Sequence, residues 1–539
     1  MKTLRKVINF SLLICFVFSI WSCTNSTTEI PSHTVFRYNE HANITSLDPA
    51  FAKDQRNIWA CHQLYNKLVY LDENLNVKPD AAKSWEISED GLQYTFKLKP
   101  DIYFHQHSIF GADSTRSILA KDVVYSLNRL TDPDVASPGS WVMQNVKEVK
   151  VIDSLSLQID LKRPFPAFLS LLSMQYTSIV PVEMQKLDFR TSPIGSGPFY
   201  MKRWIENEKL VFRKNPLYFE TDEKGNQLPY LEAVAITFLP DKQSEFMQFA
   251  QGNLDFLSGL DASYKDELLS PDGKLNSTYE ARLYMQKSPY LNTEYLGIYQ
   301  EGNNQALQSK KFRQALNYGI NRKDMIAYLR NNIGVPGVNG FIPKGMPGFS
   351  DEAKYTHQPK LAKQLIEEFK AETGIQNPSI TLATNASYLD LVEFIQKELQ
   401  QLGIDVQIDV MPPSTLLQQR SAGQLPIFRS SWIADYPDAE NYLSLFYSPN
   451  FSPKGPNYTH FSNARFDSLY TEALKISDVN ERINIYQQMD SILMEEAPFM
   501  VLYYDEVVRF TQNNVKGLGI NPLNLLELKK VQKTQQNEL

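Results

Sequence analysis

Between Ser379 and Val410 the chain spells out a strand, a helix and a second strand in immediate succession. Ile380 and Leu382 alternate with Thr381 and Ala383, the period of a strand. Asn385 and Ser387 are of the type that caps helix starts, and Leu391, Ile395, Leu399 and Leu402 then recur at helical spacing. Gly403 supplies a left-handed stop, and Ile404, Val406, Ile408 and Val410 alternate with polar partners. Two strands joined by a helix of this length form a parallel pair with a crossover helix. Leu361, Leu365 and Phe369 mark another amphipathic helix ending near Gly374. Ile483, Tyr486, Met489 and Leu493 mark a third, stopped by Pro498.

The N-terminal third has a different rhythm. Leu68–Asp72, Tyr94–Lys99 and Val149–Leu161 are strand-like, with turns at Asp90-Gly91 and Asp153-Ser154, and a helix spans Ala120–Arg129. That combination predicts an α+β region rich in antiparallel pairing. A chain of 539 residues is expected to divide into two or more lobes. Mixed α/β lobes suit a cleft binder, because ligands favour interfaces between domains. No internal repeat or low-complexity tract interrupts the pattern.

The first residues carry an address. Lys2, Arg5 and Lys6 precede an apolar run from Val7 to Ser22 of about 16 residues, shorter than the roughly 20 that cross a bilayer as a helix. Charge followed by a short apolar stretch predicts a secretory leader, residues 1–22. It ends in Ile20-Trp21-Ser22-Cys23, a small residue before a Cys at the apolar-to-polar edge, which resembles a bacterial lipobox. Cleavage there leaves Cys23 first and lipidated, with residues 23–32 as a tether; a plain leader with an incidental Cys is the alternative. Cys15 departs with the leader, so a lipidated Cys23 leaves Cys61 alone and no intramolecular disulfide forms. Removing the three leader cations takes the formal charge from −7 to −10. An acidic chain with no basic block argues against a nucleic-acid partner. No second apolar segment approaches membrane length.

Catalytic spacing is absent. There is no G-x-S-x-G, H-E-x-x-H or G-x-x-x-x-G-K, so neither an enzyme nor a cofactor is expected. Gly195-Ser196-Gly197-Pro198 is glycine-rich, but Pro198 lacks the backbone donor a phosphate cradle needs, and a tight turn is expected. His105 and His107 point to one side of a strand. Two ligands without a third do not make a metal site, and an exposed strand end is expected instead.

One constellation stands out: Arg429-Ser430-Ser431-Trp432-Ile433-Ala434-Asp435-Tyr436-Pro437-Asp438. It is a β-like run ending in a turn. Trp432 and Tyr436 can wall a pocket. A recessed Asp435 needs a cationic or donor partner, which a ligand ammonium supplies. Arg429 can take a ligand carboxylate through both edges of its guanidinium. An internal Arg429–Asp435 ion pair beside a core Trp accounts for the same residues. Asp438 is placed to cap the helix that follows.

Asn66-Lys67-Leu68-Val69-Tyr70-Leu71-Asp72, followed by Pro79 to Leu98, resembles the signature of the family 5 extracellular solute-binding proteins, the oligopeptide and dipeptide binders. Further matches follow in order: Ala120 to Ser126, Gly195 to Phe199, Arg213 to Pro216, Phe312 to Leu316 with Asn321-Arg322, and Ala434 to Asp438. The resemblance runs from about Ser46 to Tyr503. It implies an α/β, bilobal periplasmic-binding-protein-like fold with an extra α+β domain in the N-terminal half. The expected division is 33–50 plus 178–285 plus 500–539 for lobe I, 51–177 for the extra domain and 286–499 for lobe II. Strands near Phe36, Val211 and Val501 are expected to share one lobe.

The resemblance further implies a monomeric extracytoplasmic lipoprotein, anchored to a membrane through Cys23 and facing the periplasm or exterior. It would capture peptides or another small solute and deliver them to the permease subunits of an ABC importer. By the same resemblance Asp435 holds a peptide ammonium, and Arg429, Ser431, Trp432, Ile433 and Tyr436 share its pocket. Asn43 and Ile44 would offer backbone to the peptide as an added strand. The chain departs from the pattern at Asn43, where peptide binders often carry an acid, at Ile433 in place of a Cys, and at Asn321 in place of an Asp. The segment 105–119 is also longer. The alternative ligand on the same fold is an oligosaccharide, a nickel chelate or an opine-like compound.

Overall fold

The computed structural model describes residues 31–261 and 263–535. The leader and Cys23 lie outside the described residues. Ser379–Thr384 and Asp405–Val410 pair in parallel, from Ser379 opposite Asp405 to Thr384 opposite Val410. The helix between them, Leu389–Gln400, buries Leu391, Val392, Ile395 and Leu399 against the sheet. Helix Pro359–Thr373 stops at Gly374, whose φ of 75° suits glycine. Helix Val479–Glu496 stops at Ala497, just before Pro498.

These strands belong to one large sheet. Its order is Phe256–Ser258, Phe499–Gln512, Leu283–Ile298, Ile427–Ile433, Ser379–Thr384, Asp405–Val410. The two long central strands are antiparallel and broken in the middle: their register shifts between Pro289 and Thr293 and again between Glu294 and Tyr295. Such irregularities bend a strand pair. On one side of the break Leu283, Val508 and Phe510 pack with Phe246, Phe249 and Tyr264. On the other, Tyr295, Phe499 and Val501 pack with Phe341, Tyr442 and Phe446. The fold is therefore bilobal, and the chain crosses between lobes along this strand pair.

The N-terminal lobe holds a four-stranded sheet in which Val35–Asn39 runs parallel to Ala233–Thr237, followed by Lys209–Lys214 and Phe199–Ile205. Beside it lies the extra antiparallel sheet, ordered Ala82–Ile87, Gln93–Leu98, Ser156–Leu161, Val146–Val151. In Gln93–Leu98 the alternation is clean: Tyr94, Phe96 and Leu98 are buried. Helix Ala120–Arg129 packs Val123 and Leu127 into the core that these two sheets share.

Three expectations need correction. Phe36 and Val211 share the four-stranded sheet, whereas Val501 sits in the opposite lobe's core, because Phe499–Gln512 serves both lobes. His105 is not an exposed strand end. It is buried, accepting at Nδ1 from Gly195 N at 3.2 Å, with Nε2 3.1 Å from Gly197 O. Nor is Gly195–Gly197 kept for a turn: a Cβ at Gly195 would lie 2.0 Å from Leu64 O. The glycines let this segment press against the end of helix Gln55–Leu64. No described helix is long and apolar enough to cross a membrane.

Candidate functional site

Strand Ile427–Ile433 runs beside Leu283–Ile298, with Arg429 opposite Leu296, Ser431 opposite Glu294 and Ile433 opposite Asn292. Ile433 therefore lies at the break between the lobes, and the residues after it enter the space between them. A cavity of about 390 Å³ opens there. Ile433, Ala434 and Asp435 line it from one lobe. Ala52, Trp59, His62, Lys67 and Tyr176 line it from the other, with Tyr290 of the crossing strand between. A second cavity of about 550 Å³ shares Gln55, Trp59 and Tyr290 with the first and adds Glu40, Arg330 and Asp505. Trp59 is fixed between them by donating from Nε1 to Asn524 O at 2.7 Å.

Asp435 is an acid of the first cavity held by one neighbouring amide. Asn441 Oδ1 accepts from Trp432 Nε1 at 2.9 Å and from Asp435 N at 3.2 Å. That turns the Asn441 amide toward Asp435 Oδ2, 3.5 Å away, a weak contact. Asp435 forms no ion pair among the described residues, and burial raises its carboxyl above the usual range, with Asn441 opposing. The residue is open to the cleft, yet protein crowds its carboxylate. Across the cleft, burial and then the charge of Asp435 push the Tyr176 phenol up to about 12.

Arg429 is engaged elsewhere. Its Nη2 donates to Glu294 Oε2 at 2.7 Å and its Nε to Glu294 Oε1. Its guanidinium carbon also lies 3.3 Å from the centre of the Tyr388 ring. Burial pushes the Glu294 carboxyl up, and Arg429 pulls it back. The two-edged pairing expected for Arg429 thus forms with Glu294, correcting both the ligand-carboxylate role and the internal pair with Asp435.

The other residues of the run divide. Ile433 is 48% exposed and lines the cavity. Trp432 and Ser431 are half-buried, and Trp432 packs on the core of its own lobe. Tyr436 is buried, donates to Glu440 Oε2, and sets its ring 6.2 Å from Phe165 of the extra domain, edge to face, so it joins the lobes. Asp438 accepts from Glu440 N at 3.0 Å from one residue before Ala439, which holds the N-cap position expected for Asp438, and also meets Arg482 at 3.3 Å. Asn43 bonds to Asn207 and Ile44 is buried in the N-terminal core; neither lines the two cavities. Sequence reasoning does not single out Trp59, His62, Tyr176, Tyr290 or Asn441, which carry no local motif, and meets Lys67 only inside a family signature. No group of acids, His and Cys suited to a metal occurs among the described residues.

The chain is 26% identical over 487 residues to the dipeptide-binding protein of Escherichia coli (strain K12), covering 85% of this chain and 87% of that protein. Its fold matches HbpA2 from Haemophilus parasuis with a TM-score of 0.81 at 23% identity, over 93% of this chain and 100% of that one. It matches the ABC transporter-associated periplasmic binding protein DppA from Helicobacter pylori, in complex with the peptide STSA, with a TM-score of 0.72 at 25% identity, over 92% and 98% of the two chains. Residues 76–454 match Bacterial extracellular solute-binding proteins, family 5 Middle, and the chain belongs to that family.

Proposed function

We propose that this protein captures short peptides by their free amino terminus in the cavity between its lobes and delivers them to the permease of an ABC importer. The carrying observation is Asp435: a carboxylate that lines the cavity, opens to the cleft and forms no ion pair among the described residues. Such a carboxylate offers a primary ammonium a charge-assisted hydrogen bond inside the cleft. Ligand contacts from both lobes would favour a closed form. The similarity to the E. coli dipeptide-binding protein and to the H. pylori protein bound to a peptide supports the ligand class. A lipid on Cys23 would hold the protein at the membrane beside its permease.

Calorimetry with free and N-acetylated peptides tests the reading. A charge-assisted hydrogen bond is worth roughly 1.5–3 kcal/mol, so acetylation and Asp435→Asn should each weaken binding by about one to two orders of magnitude. Because both remove the same contact, the two effects should not add. Equal binding of free and acetylated peptides to the wild type would assign Asp435 a structural role and exclude a ligand read by its amine.

A further inference from the structure

Lys67 is a buried charged group that lines the first cavity without a hydrogen-bond or ion-pair partner among the described residues. It follows helix Gln55–Leu64, is 2% exposed, and lines the same cavity as Asp435 from the opposite lobe. Its neighbouring acid does not take it. Asp80 Oδ1 accepts from Asn66 Nδ2 at 2.7 Å and Oδ2 from the Lys67 backbone N at 2.8 Å. Lys67 Nζ forms no hydrogen bond or ion pair with any described residue; burial lowers its pKa and Asp80, at longer range, opposes.

Three other acids around the cavity are committed as well, while Asp54 and the exposed Glu73 also line it. Glu220 and Glu527 bind Lys529 at 2.8 and 3.1 Å, and Asp72 binds the backbone N of Asn74 and Asn76 at 2.9 Å. Lys529 itself repels Lys67. His62 lines the cavity beside Lys67. Gln175 Nε2 donates to its Nδ1 at 2.8 Å, which leaves the ring proton on Nε2. Burial first, then Lys67 and Lys529, keep that ring neutral. The wall therefore offers an ammonium and an imidazole N–H, both short of an acceptor, and a buried ammonium is costly unless an anion meets it.

We propose that Lys67, with His62 beside it, is an anion subsite that holds a ligand carboxylate. The cavity then reads a zwitterion, with the ammonium at Asp435 and the carboxylate at Lys67, and closing the lobes brings the two anchors onto one molecule. The inference rests on the peptide reading above and adds a length limit to it. A peptide whose two charged ends both lie in about 390 Å³ is a di- or tripeptide. The carboxylate belongs to the carboxy terminus or to an acidic side chain, and the experiment separates these.

The test is calorimetry with dialanine, dialanine amide, N-acetyl-dialanine and Ala-Glu amide, on the wild type and on Lys67→Met. Amidation of dialanine should weaken binding to the wild type by at least about tenfold, the scale of one charge-assisted hydrogen bond, and should make little difference to Lys67→Met. Recovery with Ala-Glu amide assigns the subsite to a side-chain carboxylate; no recovery assigns it to the carboxy terminus. Loss on acetylation without loss on amidation overturns the Lys67 inference and leaves the peptide reading standing. An equal amidation loss in wild type and Lys67→Met overturns it too, because the anion is then held elsewhere. If none of the four binds, both readings fall together. Should Lys67→Met not fold, the wild-type comparison and His62→Phe, which should lose part of the discrimination, still decide.

Discussion

Arg429 Nη2 lies 2.7 Å from Glu294 Oε2, a diagonal pair on one face of two antiparallel strands. Arg429 stands opposite Leu296 and Glu294 opposite Ser431, so only long side chains bridge the gap. The pair neutralises both charges inside the sheet. Asp435, six residues further on and beyond the end of the strand, lines the cleft without it.

Glu294 is 1% exposed, so cutting the pair from one side should be severe. Glu294→Gln leaves a buried guanidinium unneutralised and should cost about 3–5 kcal/mol in urea unfolding. The double replacement Arg429→Met with Glu294→Leu should recover most of that loss, because apolar groups of similar volume avoid the desolvation of two charges. In the folded double variant peptide affinity should stay near the wild-type value. A large loss of affinity there would return Arg429 to the ligand.

The expected anchor makes a separate prediction. Cys23→Ser should move the protein from the membrane to the soluble fraction and abolish labelling by a fatty-acid probe, while ligand affinity stays unchanged. One acyl chain binds a membrane only marginally and two hold it stably, so the wild type should resist high-salt washing. Full membrane retention of the variant would place the anchor elsewhere.

The parts of this fold that are legible in the sequence are those whose causes are local. The unit from Ser379 to Val410 declares itself through two periodicities and a glycine stop, and helix Ala120–Arg129 through its own spacing. The partner of Arg429 is not legible, because it depends on strand register across a long sequence separation. His105 reads as a strand end; its burial follows from two distant glycines that admit a close backbone approach. Val501 reads as part of the N-terminal lobe and belongs to the other, because one long strand, Phe499–Gln512, crosses between both. Lys67 is visible only as one letter of a family signature. That its ammonium lacks a partner depends on how Asp80 spends its two oxygens.

Glu40 gives the last prediction, through pH. It lines the second cavity, is 6% exposed, and its Oε1 has no hydrogen-bond partner. Burial, and then repulsion from Glu245, push its carboxyl up to about 8, with Arg56 and Lys242 opposing. An unfolded glutamate titrates near about 4.3. Between these values the folded protein holds a proton that the unfolded chain has released, so stability falls as pH rises through this window and levels off above about 8. Glu40→Gln imitates the protonated acid in shape and charge and removes that fall. Each pH unit within the window is worth roughly 1.4 kcal/mol, and local relaxation discounts the sum. The variant should therefore be more stable than the wild type by about 2–4 kcal/mol at pH 8. The gain should shrink on acidification and vanish below about pH 4, where both states of the wild type are protonated. Urea unfolding of the two proteins at pH 5 and pH 8 reads this directly. Equal stability at pH 8 would mean that the Glu40 carboxylate is met by a cation in solution, and the second cavity would then be a charged pocket and not an uncharged one.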